Sequence, residues 1–184
     1  MKDEYRFIAL CLLAGIVAGV ATTIILNNFL PKSEAQTYKE FYATETLVSV
    51  SPSDYLDDLK AGKVDGTPVD LRTRAEYEAG HLVTAVNVPA TEMSTKQLVA
   101  AFSVLPQGKP FITYCYSSYC MLSRQVGNAL AENGIYAKHF TAGWYEIQRD
   151  FSDYIVNGSE PGSLNASANY TGGVCMPGTG DFRC

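Results

Sequence analysis

The sequence is short of charge, and of positive charge above all. Lys and Arg number 14 against 19 Asp and Glu, a formal net charge of −5, so a nucleic-acid partner has no electrostatic footprint here. Charged residues make up 18% and hydrophobic ones 47%, a balance that excludes a disordered chain and supports a packed core. Internal repeats are absent, which excludes arrays and solenoids. Cysteine is sparse, at 5 in 184 residues. The short steps from Cys115 to Cys120 and from Cys175 to Cys184 fit zinc-ligand spacings poorly, so no metal site is expected. The length accommodates one ordinary domain with short appendages.

Charge is missing altogether from Phe7 to Leu26 (FIALCLLAGIVAGVATTIIL). A helix of about 20 such residues crosses a hydrocarbon core of roughly 30 Å. A buried core helix would show one apolar stripe, whereas this segment is apolar all round. A signal peptide has a shorter hydrophobic run, of about 7–15 residues; Ser33-Glu34-Ala35 is its competing cleavage-like site. Residues 1–30 are therefore read as one uncleaved transmembrane anchor, with Gly15 and Gly19 at a helix-dimer spacing. Lys2 and Arg6 precede the span and Lys32 and Lys39 follow it, so the positive-inside rule does not set its orientation. Three sequons begin at Asn157, Asn165 and Asn169. Cys175 and Cys184 are placed to close a small disulfide loop, which suits an oxidising compartment. The expectation is a single-pass membrane protein with its domain outside the cytoplasm.

Residues 31–43 are polar and without periodicity, the pattern of a linker. Strand and helix signals then alternate. Thr46–Val50, Pro68–Leu71, Ala85–Val88, Pro110–Tyr114 and Ala137–Phe140 read as strands. Helices are expected after Ser51, over Arg74–Gly80, after Ser94 and Thr95, over Cys120–Asn133, and from Trp144 to Phe151. Short connections between alternating strands and helices imply an α/β fold, a mostly parallel central sheet covered on both faces. The domain is placed at 44–154, and the Gly-, Asn- and Ser-rich residues 155–184 are read as a tail.

Function in such sheets gathers at the carboxyl ends of strands. There the sequence places Tyr114-Cys115-Tyr116-Ser117-Ser118-Tyr119-Cys120, between a buried strand and a helix. Orphan amides at a helix N-terminus are expected to lower the pKa of Cys115, and the loop amides to form an anion nest. Tyr114, Tyr116, Tyr119 and Tyr145 are candidates for an aromatic rim, core packing accounting equally well for Tyr114. His81 reads as satisfying backbone groups, and His139, inside a strand, as incidental.

Asp70-Leu71-Arg72, Glu76-Tyr77, Gly80-His81-Leu82 and Ala85-Val86-Asn87-Val88-Pro89 together resemble the first signature of the rhodanese family. The loop at Cys115 resembles its second, and Ala142-Gly143-Trp144 is similar to its Gly-Gly-Trp turn. The resemblance spans Thr44 to Asp153. It implies a three-layer rhodanese-like fold and sulfur transfer through a persulfide on Cys115, with Tyr116, Ser117, Ser118, Tyr119 and Cys120 as the surrounding loop. Asp70, Arg72, Glu76 and His81 would support that loop. The implied partners are a sulfur donor and a thiol acceptor, and no cofactor is required.

Active members of that family carry glycine in the middle of the loop and arginine at its sixth position, where this chain has Ser118 and Cys120. Arg124, one helical turn further on, is the candidate replacement as an anion-binding group. The related phosphatases have a loop one residue longer that ends in arginine. Met121 stands there, which argues against phosphatase activity. Thr84 occupies a position that is usually glycine. Three functions stay open: a sulfurtransferase or persulfide carrier at Cys115, a thiol–disulfide module using Cys115 and Cys120, and a catalytically silent binding module.

Overall fold

The computed structural model describes residues 2–29 and 31–164. The chain divides into two units, Met1–Ala43 and Thr44–Cys184. In the first, helix α1 (Lys2–Phe29) contains a stretch from Glu4 to Leu26, 23 residues with a mean hydropathy of 2.5 and none of it buried. It is long and apolar enough to cross a membrane. Its Thr23 hydroxyl donates back to the Gly19 carbonyl at 2.9 Å, which satisfies a polar group that hydrocarbon would leave bare.

A second helix, α2 (Glu34–Val48), follows, where an aperiodic linker and the first residues of a strand were expected. Its causes are local. The Ser33 hydroxyl accepts from the Gln36 amide at 3.2 Å, Glu34 stands in the first turn, and Gln36 donates to Glu40 one turn on at 2.7 Å. None of its side chains is buried, so no apolar stripe announced it.

The second unit is built on five parallel strands in the order β1-β6-β5-β2-β4. These are β1 (Ser49–Val50), β2 (Thr67–Asp70), β4 (Val86–Asn87), β5 (Phe111–Tyr114) and β6 (Ala137–Phe140). Helices α3 (Pro52–Lys60), α4 (Arg74–Ala79), α5 (Thr95–Val104), α6 (Leu122–Ala131) and α7 (Trp144–Asp150) lie between and after them. Because strand side chains alternate between faces, β5 feeds two cores. Ile112 and Tyr114 pack with Tyr55, Leu56, Tyr77, Trp144 and Ile147. Phe111 and Cys115 pack with Val69, Leu71, Phe102, Val126 and Leu130. The sheet is thus covered on both faces, the three-layer α/β arrangement read from the sequence. Capping boxes at Thr73/Glu76 and Ser94/Gln97 fix the starts of α4 and α5.

The stretch after Ile155 differs from the reading of it as a tail. Strand β7 (Ile155–Val156) pairs antiparallel with β3 (His81–Leu82), Pro161 accepts from the Thr84 amide at 2.6 Å, and Leu164 packs on the first core. Two apolar residues in a polar context were enough to complete an otherwise unpaired edge. Thr84 itself has φ +70°, the left-handed region that favours glycine. Its hydroxyl bonds the Tyr55 hydroxyl at 2.8 Å, a contact glycine would forgo. Cys175, Cys184 and the sequons at Asn165 and Asn169 lie outside the described residues; Asn157 is exposed.

Candidate active site

Strand β5 delivers Cys115 to the carboxyl edge of the sheet, where residues 115–121 lead into α6. The loop is clamped from behind by the turn that opens α7. Trp144 donates its amide to the Cys115 carbonyl at 2.8 Å and Tyr145 to the Tyr116 carbonyl at 3.0 Å. Gly143 permits this approach: a Cβ on it would stand 2.3 Å from the Ser117 nitrogen. Glu146 finishes the clamp. Its carboxylate receives the Gly143 amide at 2.9 Å, the Ser118 amide at 3.1 Å and the Ser118 hydroxyl at 3.0 Å. Burial opposes the charge on Glu146, but these donors outweigh it and hold the carboxyl below its ordinary range. Neither Gly143 nor Glu146 was singled out as a site residue from the sequence. The signal was there in part, since an acid three residues after a helix start is half a capping box.

The loop wraps two sulfurs. Cys115 is buried and Cys120 half-buried, and both are free thiols. The Cys115 thiol donates to the Cys120 carbonyl, 3.7 Å away, and the two side chains each shift the other's titration. The amides of Leu122, Tyr116 and Ser117 are directed at the Cys120 sulfur; Ser123 supplies an amide and its hydroxyl to Cys115. The orphan amides of the first turn of α6 are therefore divided between the two. Burial is the largest influence on each. At Cys120 the Cys115 side chain and the three amides override it, and its pKa falls below the ordinary thiol value. At Cys115 burial prevails, reinforced by the Cys120 side chain, and pushes the thiol up. This corrects the expectation that loop dipoles lower the pKa of Cys115. The amides of Tyr116, Ser117 and Leu122 act on the side chain at the sixth loop position, while those of Ser118 and Cys120 go to Glu146 and the Ser117 carbonyl.

The residues expected to support the loop fall into three groups of contacts, around Arg72, Glu76 and His81. Arg72 grips the Asp70 carboxylate with Nε at 3.1 Å and Nη2 at 2.6 Å, and Nη2 reaches the Gly80 carbonyl at 2.7 Å. Its guanidinium lies 4.0 Å from the centre of the Trp144 ring, which links this buried ion pair to the clamp. Asn87 donates to the carbonyls of Asp70 and Arg72 at 3.0 and 2.9 Å. Glu76 takes the Thr73 hydroxyl at 2.6 Å and the Tyr116 hydroxyl at 2.9 Å, tying the cap of α4 to the loop. His81 stacks on Tyr77, ring centroids 3.7 Å apart. Its nitrogens face the Tyr77 and Glu160 carbonyls at 2.8 and 3.0 Å.

The four tyrosines divide. Tyr114 is core, its hydroxyl accepting the Leu82 amide at 3.2 Å; Tyr116 is half-buried, and Tyr119 and Tyr145 are 90% and 62% exposed. Arg124 is exposed on α6. Its charge is felt by His139, whose imidazole burial first, and then Arg124, holds below its ordinary pKa.

Comparison with known proteins adds the following. The family model described as Rhodanese-like domain matches residues 51–150. An HTH-type transcriptional regulator of Mycobacterium tuberculosis is 26% identical over 98 residues, 53% of this chain and 40% of that protein. The match thus spans well under half of that relative. Among solved structures, a Bacillus halodurans protein superposes with a TM-score of 0.55 at 20% identity, covering 74% of this chain and 95% of the other. A Lactobacillus plantarum protein does so with a TM-score of 0.54 at 14% identity, covering 67% and 98%. At these identities the superpositions bear on the fold alone.

Proposed function

The chain belongs to the rhodanese-like domain family, and from that premise we propose that it is a membrane-anchored sulfur-transfer module in which Cys115 carries a sulfane sulfur. One observation carries the reading: the Cys115 thiol is directed at the Cys120 carbonyl, 3.7 Å away, where the amides of Tyr116, Ser117 and Leu122 favour the anionic form of a second sulfur, that of Cys120. A set of amides that stabilises one sulfur anion is suited to the anionic end of a persulfide. In the first step the Cys115 sulfur attacks the outer sulfur of a donor. The donor's sulfur–sulfur bond breaks and the remainder leaves with the bonding pair. A thiol acceptor then collects the sulfur from Cys115. The Cys115 proton passes to the departing group of the donor.

The charged groups bonded to the loop are the carboxylates of Glu146 and Glu76, and the sixth loop position supplies no cation. We therefore favour a donor of low charge, such as a small-molecule persulfide, over the thiosulfate dianion. A second reading, thiol–disulfide exchange, is favoured by the closeness of the two cysteines, the Cys115 thiol standing 3.7 Å from the Cys120 carbonyl. For the anchor, α1 supplies the span. The exposed sequon at Asn157 supports a domain outside the cytoplasm, as protease treatment of intact cells would test by removing the domain.

The deciding measurement is mass. The reduced full-length protein in detergent is exposed to a persulfide donor or to thiosulfate and digested with trypsin. Cys115 and Cys120 fall in one peptide ending at Arg124, because no Lys or Arg stands between Pro110 and Ser123. A peptide one sulfur heavier in the Cys120→Ser protein, absent in Cys115→Ser and discharged by an added thiol, is the expected result. No uptake of sulfur from either donor would overturn the proposal.

A further inference from the structure

Cys120 is the residue whose place in the fold a simple sulfur carrier leaves unexplained. It stands two residues before the start of α6, its carbonyl facing the Cys115 thiol at 3.7 Å and its sulfur facing loop amides. Resting on the sulfur-carrier reading above, we propose that Cys120 is an internal resolving thiol that discharges the Cys115 persulfide as hydrosulfide. The protein would then deliver its sulfur in reduced form and close a Cys115–Cys120 disulfide in the same step.

The geometry supplies what the step requires. The Cys115 sulfur already lies 3.7 Å from the carbonyl oxygen of Cys120, so the two side chains meet within one short loop and no closure over distance is needed. As a thiol, Cys120 holds a proton to pass to the terminal sulfur of the persulfide. Its own sulfur then attacks the Cys115 sulfur. The bond between Cys115 and the sulfane sulfur breaks, and that sulfur leaves as hydrosulfide with the bonding pair. One sulfur is reduced to the level of sulfide, two thiols are oxidised to one disulfide, and the charge is the same before and after. The amides of Tyr116, Ser117 and Leu122 hold the Cys120 sulfur on this path. A dithiol reductant returns the pair to its starting state, which makes the cycle dependent on a protein or small molecule of that class. The exposed Tyr119, in the turn between the two cysteines, leaves the loop open to such a reductant.

The test uses the full-length reduced protein loaded with a small-molecule persulfide, freed of excess donor, with no thiol added. In the wild type the peptide ending at Arg124 should become two hydrogens lighter than its reduced form while one equivalent of hydrosulfide per chain appears. The rate should be first-order and independent of protein concentration. In Cys120→Ser and Cys120→Ala the same peptide should stay one sulfur heavier, releasing hydrosulfide only when thiol is added. A wild type that keeps its persulfide as long as these variants, or releases hydrosulfide at a rate that rises with protein concentration, overturns the inference and leaves sulfur carriage standing. Failure of both the wild type and the variants to take up sulfur removes the reading on which it rests. The wild-type time course alone decides the matter even if a variant folds poorly.

Discussion

Gly143 is the point at which the clamp and the loop come closest, and replacing it with alanine gives a direct measure of their coupling. The backbone there has φ −109° and ψ −168°, which any residue adopts, so the cost is contact and not strain. The new Cβ would stand 2.3, 2.4 and 2.6 Å from the nitrogen, Cα and carbonyl carbon of Ser117. Carbon contacts settle near 3.5–4.0 Å, so the turn and loop must part by about 1 Å. Overpacking of this kind costs about 1–3 kcal/mol. The two backbone bonds from Trp144 and Tyr145 into the loop would be stretched as well, at about 0.5–1.5 kcal/mol each. We expect a loss of about 2–4 kcal/mol in urea unfolding, and loading of Cys115 slowed on the order of 10²-fold by misplacement of the loop. Gly66→Ala is the control. There the Cβ would meet the Cδ1 and Cγ1 of the buried Ile112 at 2.4 and 2.9 Å and the Pro110 carbonyl at 3.3 Å, so stability should fall too, but without contact to the loop, and loading should proceed at the wild-type rate. If Gly143→Ala unfolds within about 0.5 kcal/mol of wild type and loads normally, the clamp does not position the loop.

Other expectations follow from the same contacts. Asp70→Asn leaves the buried Arg72 guanidinium without its counter-charge, and a loss of about 3–5 kcal/mol is expected in the same unfolding assay; a loss below about 1 kcal/mol would refute a structural role for the pair. Glu146→Gln keeps the shape of the clamp but removes its charge, at about 0.5–2 kcal/mol near neutral pH. Because the carboxyl is held below its ordinary value of 4.5, its stabilisation is complete above that pH and is lost as pH falls through the lowered value. The gap between wild type and variant should therefore shrink on acidification, and a gap that widens would contradict the assignment. In the reduced protein, iodoacetamide should label Cys120 before Cys115, with a rate that rises through a pKa below the ordinary thiol value of 9.0. Prior labelling of Cys115 would reverse the electrostatic order of the pair.

Much of this protein was legible in the chain because the relevant causes are local. The apolar run of α1, the alternation of strand and helix signals, the cap at Ser94 and the exit of Cys115 from a buried strand are all written within a few residues of where they act. Strand β6 was read at the limits it has, Ala137–Phe140. The surface helix α2 was missed because periodicity finds helices by the face they bury, and this one buries none. What only the tertiary structure decided involves residues far apart in sequence. Ile155 and Val156 were unremarkable until β3 offered them an edge, and Glu146 became a clamp only when folding brought Ser118 to it from 28 residues away. The sharing of amides between two sulfurs belongs here too. The sequence placed both cysteines beside one helix start, but burial of Cys115 and the curl of the loop settled which sulfur the amides face, because a dipole acts along a direction that exists only once the chain has folded.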